Sequence, residues 1–261
     1  MISDSVIIIF LFIFGLILGS FLNVCIYRIP LKISIVNPPS NCPECSEKIR
    51  FYDNVPVISY IILLGRCRHC RQPIPIRYPL VELMMGLLSV SLFIKYGLSC
   101  SYFLFLIFTA VLVVISFIDL QHRIIPDIIS IPGIILGLII AFLMPHITWY
   151  DSLIGMIGGG GILYLVAVIF EWLIKKEGMG GGDIKLLAMI GAWMGWRPLP
   201  FIILISSLIG TIIGGGSLLF TRQGLRTRIP FGPFLALGAL IYLFFGRELV
   251  AWYFRLIHLN Y

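Results

Sequence analysis

The chain has 261 residues, 59% of them hydrophobic and 12% charged, with a mean hydropathy of +1.04. A soluble domain carries roughly twice that charged fraction, and the apolar residues here fall in blocks near the roughly 20 needed to cross about 30 Å of hydrocarbon, so the composition excludes an ordinary soluble protein. The net charge of +7 does not point to nucleic acid, because Lys and Arg gather in short segments between apolar blocks, a topology signal and not a phosphate-binding stripe.

The expected fold is therefore an all-α polytopic membrane protein. Eight spans are expected, at about 6–27, 79–96, 102–119, 128–144, 152–174, 184–196, 199–220 and 233–254. The first has no basic segment before it, and Gly19-Ser20-Phe21-Leu22-Asn23 makes a poor signal-peptide cleavage site, so it is read as a retained span.

The stretch 28–78 that follows is the longest outside the spans, rich in Pro, Cys and charge. It is only slightly longer than the roughly 40 residues below which a fold usually needs a metal or disulfides. Cys42-Pro43-Glu44-Cys45 and Cys67-Arg68-His69-Cys70 are two CxxC pairs separated by 21 residues. Each CxxC turn aims two sulfurs at one centre, and two such turns complete a tetrahedral zinc site. Two disulfides are the alternative, which a reducing cytoplasm disfavours. Four thiolates leave no position for water, so the zinc is expected to hold the loop together and not to do chemistry. His69 is a possible substitute ligand, whereas Cys25 and Cys100 read as small apolar residues.

Acidic residues at membrane spans are functional candidates, because an unpaired charge there is costly. Glu82 lies one turn into the second span, close enough to Arg77 to pair. Asp119 ends the third span in Ser116-Phe117-Ile118-Asp119-Leu120, and Asp127, in Ile125-Pro126-Asp127, opens the fourth, where it suits a helix cap. Glu171, near the end of the fifth, is four residues before Lys175 and reads as half of an exposed pair. Asp183 begins the short sixth span, directly after Gly178-Met179-Gly180-Gly181-Gly182. Those glycines allow close backbone approach where side chains would collide. The boundary between the sixth and seventh spans falls near Trp196-Arg197-Pro198.

Eight spans leave both termini on one side. Fifteen of the nineteen Lys and Arg fall on the opposite side, among them Lys176, Arg222, Arg226 and Arg228; four, Lys95, Arg197, Arg247 and Arg255, fall on the side of the termini. The richer side is cytoplasmic, so both termini are expected in the periplasm. This places Asp119 and Asp183 at the same cytoplasmic boundary. Two carboxyls in a poorly solvated site share a proton, and one can then accept from water while the other donates to a scissile carbonyl. The alternative is a helix-end charge and an N-cap. A proton- or cation-coupled transporter and an assembly scaffold are further alternatives. A transporter would favour mid-membrane carboxylates and two similar halves. For a scaffold, the glycine runs Gly158 to Gly161 and Gly214 to Gly216 would serve as packing faces.

Motifs along nearly the whole chain resemble the bacterial type IV prepilin peptidases, a family of GxGD intramembrane aspartic proteases. They are Gly19-Ser20-Phe21-Leu22-Asn23-Val24 with Arg28, the two CxxC pairs, Arg77-Tyr78-Pro79-Leu80-Val81-Glu82, and Phe117-Ile118-Asp119 through Ile125-Pro126-Asp127. Gly180-Gly181-Gly182-Asp183-Ile184-Lys185 and Pro230-Phe231-Gly232-Pro233-Phe234 complete the set. The resemblance implies cleavage of short basic leaders from prepilins or pseudopilins of pilus and type II secretion systems, at the inner membrane and in contact with its lipids. It implies Asp119 and Asp183 as the catalytic pair, with Gly180, Gly182, Asp127 and Lys185 in support, and zinc on the four cysteines. It also implies N-methylation of the new amino terminus with S-adenosylmethionine, and Gly65 matches a glycine tied to that activity. The expected organisation is a first span at 1–27, a zinc-binding loop domain at 28–78 and a seven-span peptidase domain at 79–261.

Overall fold

The computed structural model describes residues 4–143, 147–175, 180–221 and 230–258. Among them the regular elements are helices: α1 (Asp4–Arg28), α2 (Ile58–Ile62), α3 (Arg77–Tyr96), α4 (Cys100–His122), α5 (Asp127–Ile140), α6 (Trp149–Ile174), α7 (Gly181–Met194), α8 (Leu199–Thr221) and α9 (Gly232–His258). All but α2 coincide with the eight expected spans. A long apolar segment in hydrocarbon takes this form because a helix satisfies its own backbone groups. α1, α3, α4 and α6 are long and apolar enough to cross a membrane. α5 and α7, of 14 residues each, rise only about 21 Å at 1.5 Å per residue. Met144, Lys176, Gly178, Met179, Arg222, Arg226 and Arg228 lie outside the described residues, as do the two chain ends.

The chain divides into two compact units, Met1–Val114 and Ile115–Tyr261. In the first, α1 and α3 run antiparallel at a spacing that only glycine permits. A Cβ on Gly15 would lie 2.6 Å from the Met85 carbonyl oxygen, and one on Gly19 2.6 Å from Glu82 Cα. Gly15 and Gly19 form a GxxxG face, which lets two backbones approach in a medium where apolar burial alone gives little drive. Ser89 Oγ, fully buried, donates to the Leu11 carbonyl at 2.9 Å and lies 2.8 Å from the Tyr102 hydroxyl. Asn23 Nδ2 donates to the Tyr78 carbonyl at 3.0 Å, and the buried Arg28 Nη1 donates to the Ser34 carbonyl at 2.9 Å, tying the loop to the helix pair.

The loop carries an internal repeat of period 25. The Cys42 N–H donates to Glu47 O, Ser46 N–H to Cys42 O, and Ile49 N–H to Ser40 O. The same three bonds recur from Cys67 to Gln72, Arg71 to Cys67, and Ile74 to Gly65. Ser46 and Arg71, each following the second cysteine of its pair, both take a left-handed conformation (φ +59° and +61°). The 3₁₀ turn Phe51–Asn54 joins this framework through Asp53, whose two carboxylate oxygens share the Arg68 Nε–H at 3.1 and 2.9 Å. The Arg68 guanidinium holds the Asp53 carboxyl below the usual carboxylate range.

In the second unit α7 lies between α5 and α6, buried from Leu186 through Trp193. Gly155 and Gly191 face each other so closely that a Cβ on either would collide with the other's carbonyl. On the α5 side, Gly137 takes the Trp193 ring, whose Nε1 donates to Gly133 O at 2.8 Å. α8 and α9 pack through Ser206, whose hydroxyl lies 3.0 Å from the Phe234 carbonyl and where a Cβ on Gly238 would touch it.

Candidate active site

Asp119 sits in the last turn of α4, only 5% exposed. Its Oδ2 accepts a hydrogen bond from the Gly232 N–H at 3.0 Å. Gly232 is the first residue of α9, so this amide is one of the unpaired donors at a helix start, where a negative charge is favoured. Pro233, next along, has no N–H to offer. A Cβ on Gly232 would lie 2.7 Å from Asp119 Oδ2 and 3.2 Å from Ile125 Cδ1.

Asp183 occupies the first turn of α7, half-buried, with its N–H on the Gly180 carbonyl at 3.1 Å. Gly182 is pressed against Ile125, whose Cβ would lie 2.9 Å from a side chain there. Ile125 thus stands between the glycine before Asp183 and the glycine that holds Asp119. The two carboxyls are close enough to act on each other electrostatically. The structure brings together the pair singled out from the sequence, along with Gly182. Neither aspartate takes the structural alternative: Asp119 is not a solvated helix-end charge, and the N-cap of α7 is Gly180. Among the described glycines of the run, the close approach belongs to Gly182; Gly181 has nothing within 4 Å of an added Cβ.

Asp127 and Lys185 find each other, Nζ to Oδ1 at 2.7 Å, with both side chains well exposed. The N-cap of α5 is Pro126, so Asp127 serves as half of an α5–α7 ion pair and not as the cap expected of it. Glu82 likewise departs from the expected partnership with Arg77. Its Oε2 accepts from the Val57 N–H at 2.8 Å. Gly65 has φ +67°, and an added Cβ would lie 2.9 Å from the Tyr60 hydroxyl oxygen, so its place is fixed by the turn and by that ring.

The sequence reading assigned no role to Gly232 or Ile125. A Gly-Pro pair opening an apolar helix was the available signal, since it leaves one exposed amide and no side chain over it.

Among the described residues the four cysteines form a cluster that could hold a metal ion, with all four sulfurs within 4.8 Å of one another. Cys42 Sγ and Cys70 Sγ are 3.8 Å apart, the edge length of a tetrahedron with metal–sulfur bonds of about 2.3 Å. The donor set and spacing fit zinc.

A helical membrane protein with a buried, paired carboxyl site and a four-cysteine loop is the class these features define. Residues 13–96 match the bacterial peptidase A24 N-terminal domain, and residues 106–215 match the type IV leader peptidase family. The chain is 38% identical to a prepilin leader peptidase/N-methyltransferase of Aeromonas hydrophila, over 93% of this chain and 92% of that one. It is also 38% identical to proteins of the same description from Pseudomonas putida (91% and 90%) and Pseudomonas aeruginosa (92% and 91%). No solved structure matches. The chain belongs to the type IV leader peptidase family and is a membrane peptidase, as the motif resemblance implied.

Proposed function

We propose that Asp119 and Asp183 form the catalytic pair of a leader peptidase that cleaves prepilins or pseudopilins at the cytoplasmic face of the inner membrane. The observation that supports this most is the buried Asp119 carboxyl, aimed by the Gly232 amide and within electrostatic reach of Asp183. Two such carboxyls titrate as a unit and share one proton. The ionised member takes a proton from water, and the resulting hydroxide adds to the scissile carbonyl carbon. The protonated member gives its proton to the carbonyl oxygen. When the tetrahedral intermediate collapses, the C–N bond breaks, the leaving nitrogen takes the proton removed from water, and one hydroxyl of the intermediate returns its proton to the other carboxylate as the C=O bond re-forms. The substrate geometry agrees, because an apolar segment in the bilayer with a basic leader beside it presents its junction at the boundary where both aspartates lie.

The inner-membrane location and periplasmic termini rest on the charge asymmetry between loops. Zinc on Cys42, Cys45, Cys67 and Cys70 closes the loop. The second activity of the relatives, transfer of a methyl group to the new amino terminus, comes with S-adenosylmethionine as donor.

The test is cleavage of a purified prepilin by Asp119→Asn and Asp183→Asn. Asparagine keeps size and hydrogen bonding but cannot accept a proton from water. Each variant should lose cleavage by at least about 10²–10⁴-fold, the range typical of general acid–base catalysis, while staying folded. Each should still methylate a substrate supplied already cleaved, since methyl transfer needs no activated water. Substantial cleavage by both variants would refute the assignment.

A further inference from the structure

We propose that residues 57–64 are a re-entrant segment whose apolar face lies in the lipid of the membrane leaflet on the cysteine-loop side. The segment belongs by sequence to a polar loop between two spans, but its depth is set by Glu82. That carboxylate accepts from the Val57 N–H at 2.8 Å. Glu82 follows the start of α3 at Arg77 by five residues, about 7.5 Å of helix. The Val57 amide is therefore held about 7 Å inside the end of α3. Interfacial helices bury their apolar faces to a similar depth of about 5–10 Å.

The backbone enters and leaves this depth through two turns with positive φ. Val57 has φ +61°, costly for a β-branched residue, and Leu64 and Gly65 have φ +52° and +67°. Between them α2 turns its one buried residue, Ser59, inward, where Oγ donates to the Tyr52 carbonyl at 2.9 Å and accepts from the Val55 N–H at 3.0 Å. The opposite face carries Ile58, Ile61 and Ile62 at helical spacing, 55%, 65% and 70% exposed, with Leu64 at 85%. A row of four exposed large aliphatics facing water is a liability, whereas at this depth it meets acyl chains. Arg66 follows after Gly65 and is exposed, with Arg50 and Arg71 exposed nearby in the chain, placed for anionic headgroups.

The occupant is tested with a photoreactive benzoylphenylalanine at position 61 or 62 of the full chain, in nanodiscs of phosphatidylethanolamine and phosphatidylglycerol. A third variant carries the probe at position 48, in the first cysteine turn. Intact-mass analysis after illumination should find lipid adducts at 61 and 62 at least about tenfold above those at 48, as expected of an interfacial apolar face. Equal adducts at all three positions would overturn the proposal, as would a cross-link from 61 or 62 to a second copy of the chain. So would loss of the lipid adducts on adding a purified prepilin, which would assign the face to substrate.

Discussion

Asp119 lies where a side chain on Gly232 would go, so the carboxylate and the missing Cβ are complementary. Gly232→Ala should push Oδ2 off the α9 amide without touching either aspartate chemically. A displacement of about 1 Å at a reacting group can cost about 10²-fold in rate, and a loss of that order in leader cleavage is expected from a protein that still folds. Cleavage within a few-fold of wild type would mean the amide does not position the carboxyl. The aspartates themselves were legible in the sequence, because a carboxylate at a membrane boundary is costly and demands a reason. Gly232 was not, because its role depends on a contact between residues 113 apart. Asp127 was misread for a related reason: the cap rule is local, while its partner Lys185 arrives from another helix.

At the scale of the helices, close packing is carried by glycines set four apart. Gly15 and Gly19 on α1, Gly133 and Gly137 on α5, and Gly155 and Gly159 on α6 each meet a neighbouring helix where a Cβ would not fit. The helix positions were legible, since apolar length alone marks a span. The packing faces were only partly so: within Gly158–Gly161, Gly159 makes a close approach while Gly161 has open space around it, and Gly214–Gly216 have no described surroundings. A run of glycines does not say which one faces the partner; spacing by four does. Gly191→Leu should separate α6 from α7 at a cost of roughly 1–3 kcal/mol or more, the range for overpacked cores. A marked drop in thermal unfolding temperature is expected, with Gly161→Ala as the control that leaves it nearly unchanged. Equal melting of the two variants would remove the α6–α7 glycine contact from the account of stability.

For the molecule as a whole, the four-cysteine loop was legible from two CxxC pairs, and its 25-residue repeat sharpens that reading. The dip of residues 57–64 was hidden, because an apolar run this short inside a polar loop does not show from its spacing alone whether it is a helix, a strand or a buried turn. Replacing Cys42 and Cys45 together with Ser should abolish zinc binding and leave the loop open to protease, given that structural zinc can supply about 10 kcal/mol or more of folding free energy. Full zinc content in the double variant would assign the metal elsewhere.

The 14-residue helix α5, with Ile128, Ile135 and Ile139 facing outward, packs beside the equally short α7 that carries Asp183, each about 21 Å long against a hydrocarbon layer of about 30 Å. Such a mismatch pulls the bilayer thin around the shorter elements, at a cost of fractions of a kcal/mol per Å. Thinning lowers the aqueous surface toward Asp183, so hydrolysis can draw its water from bulk without a dedicated channel. Leader cleavage should then run faster in short-chain lipid bilayers than in long-chain ones at equal enzyme content, whereas a rate indifferent to chain length would mean that water arrives through the protein itself.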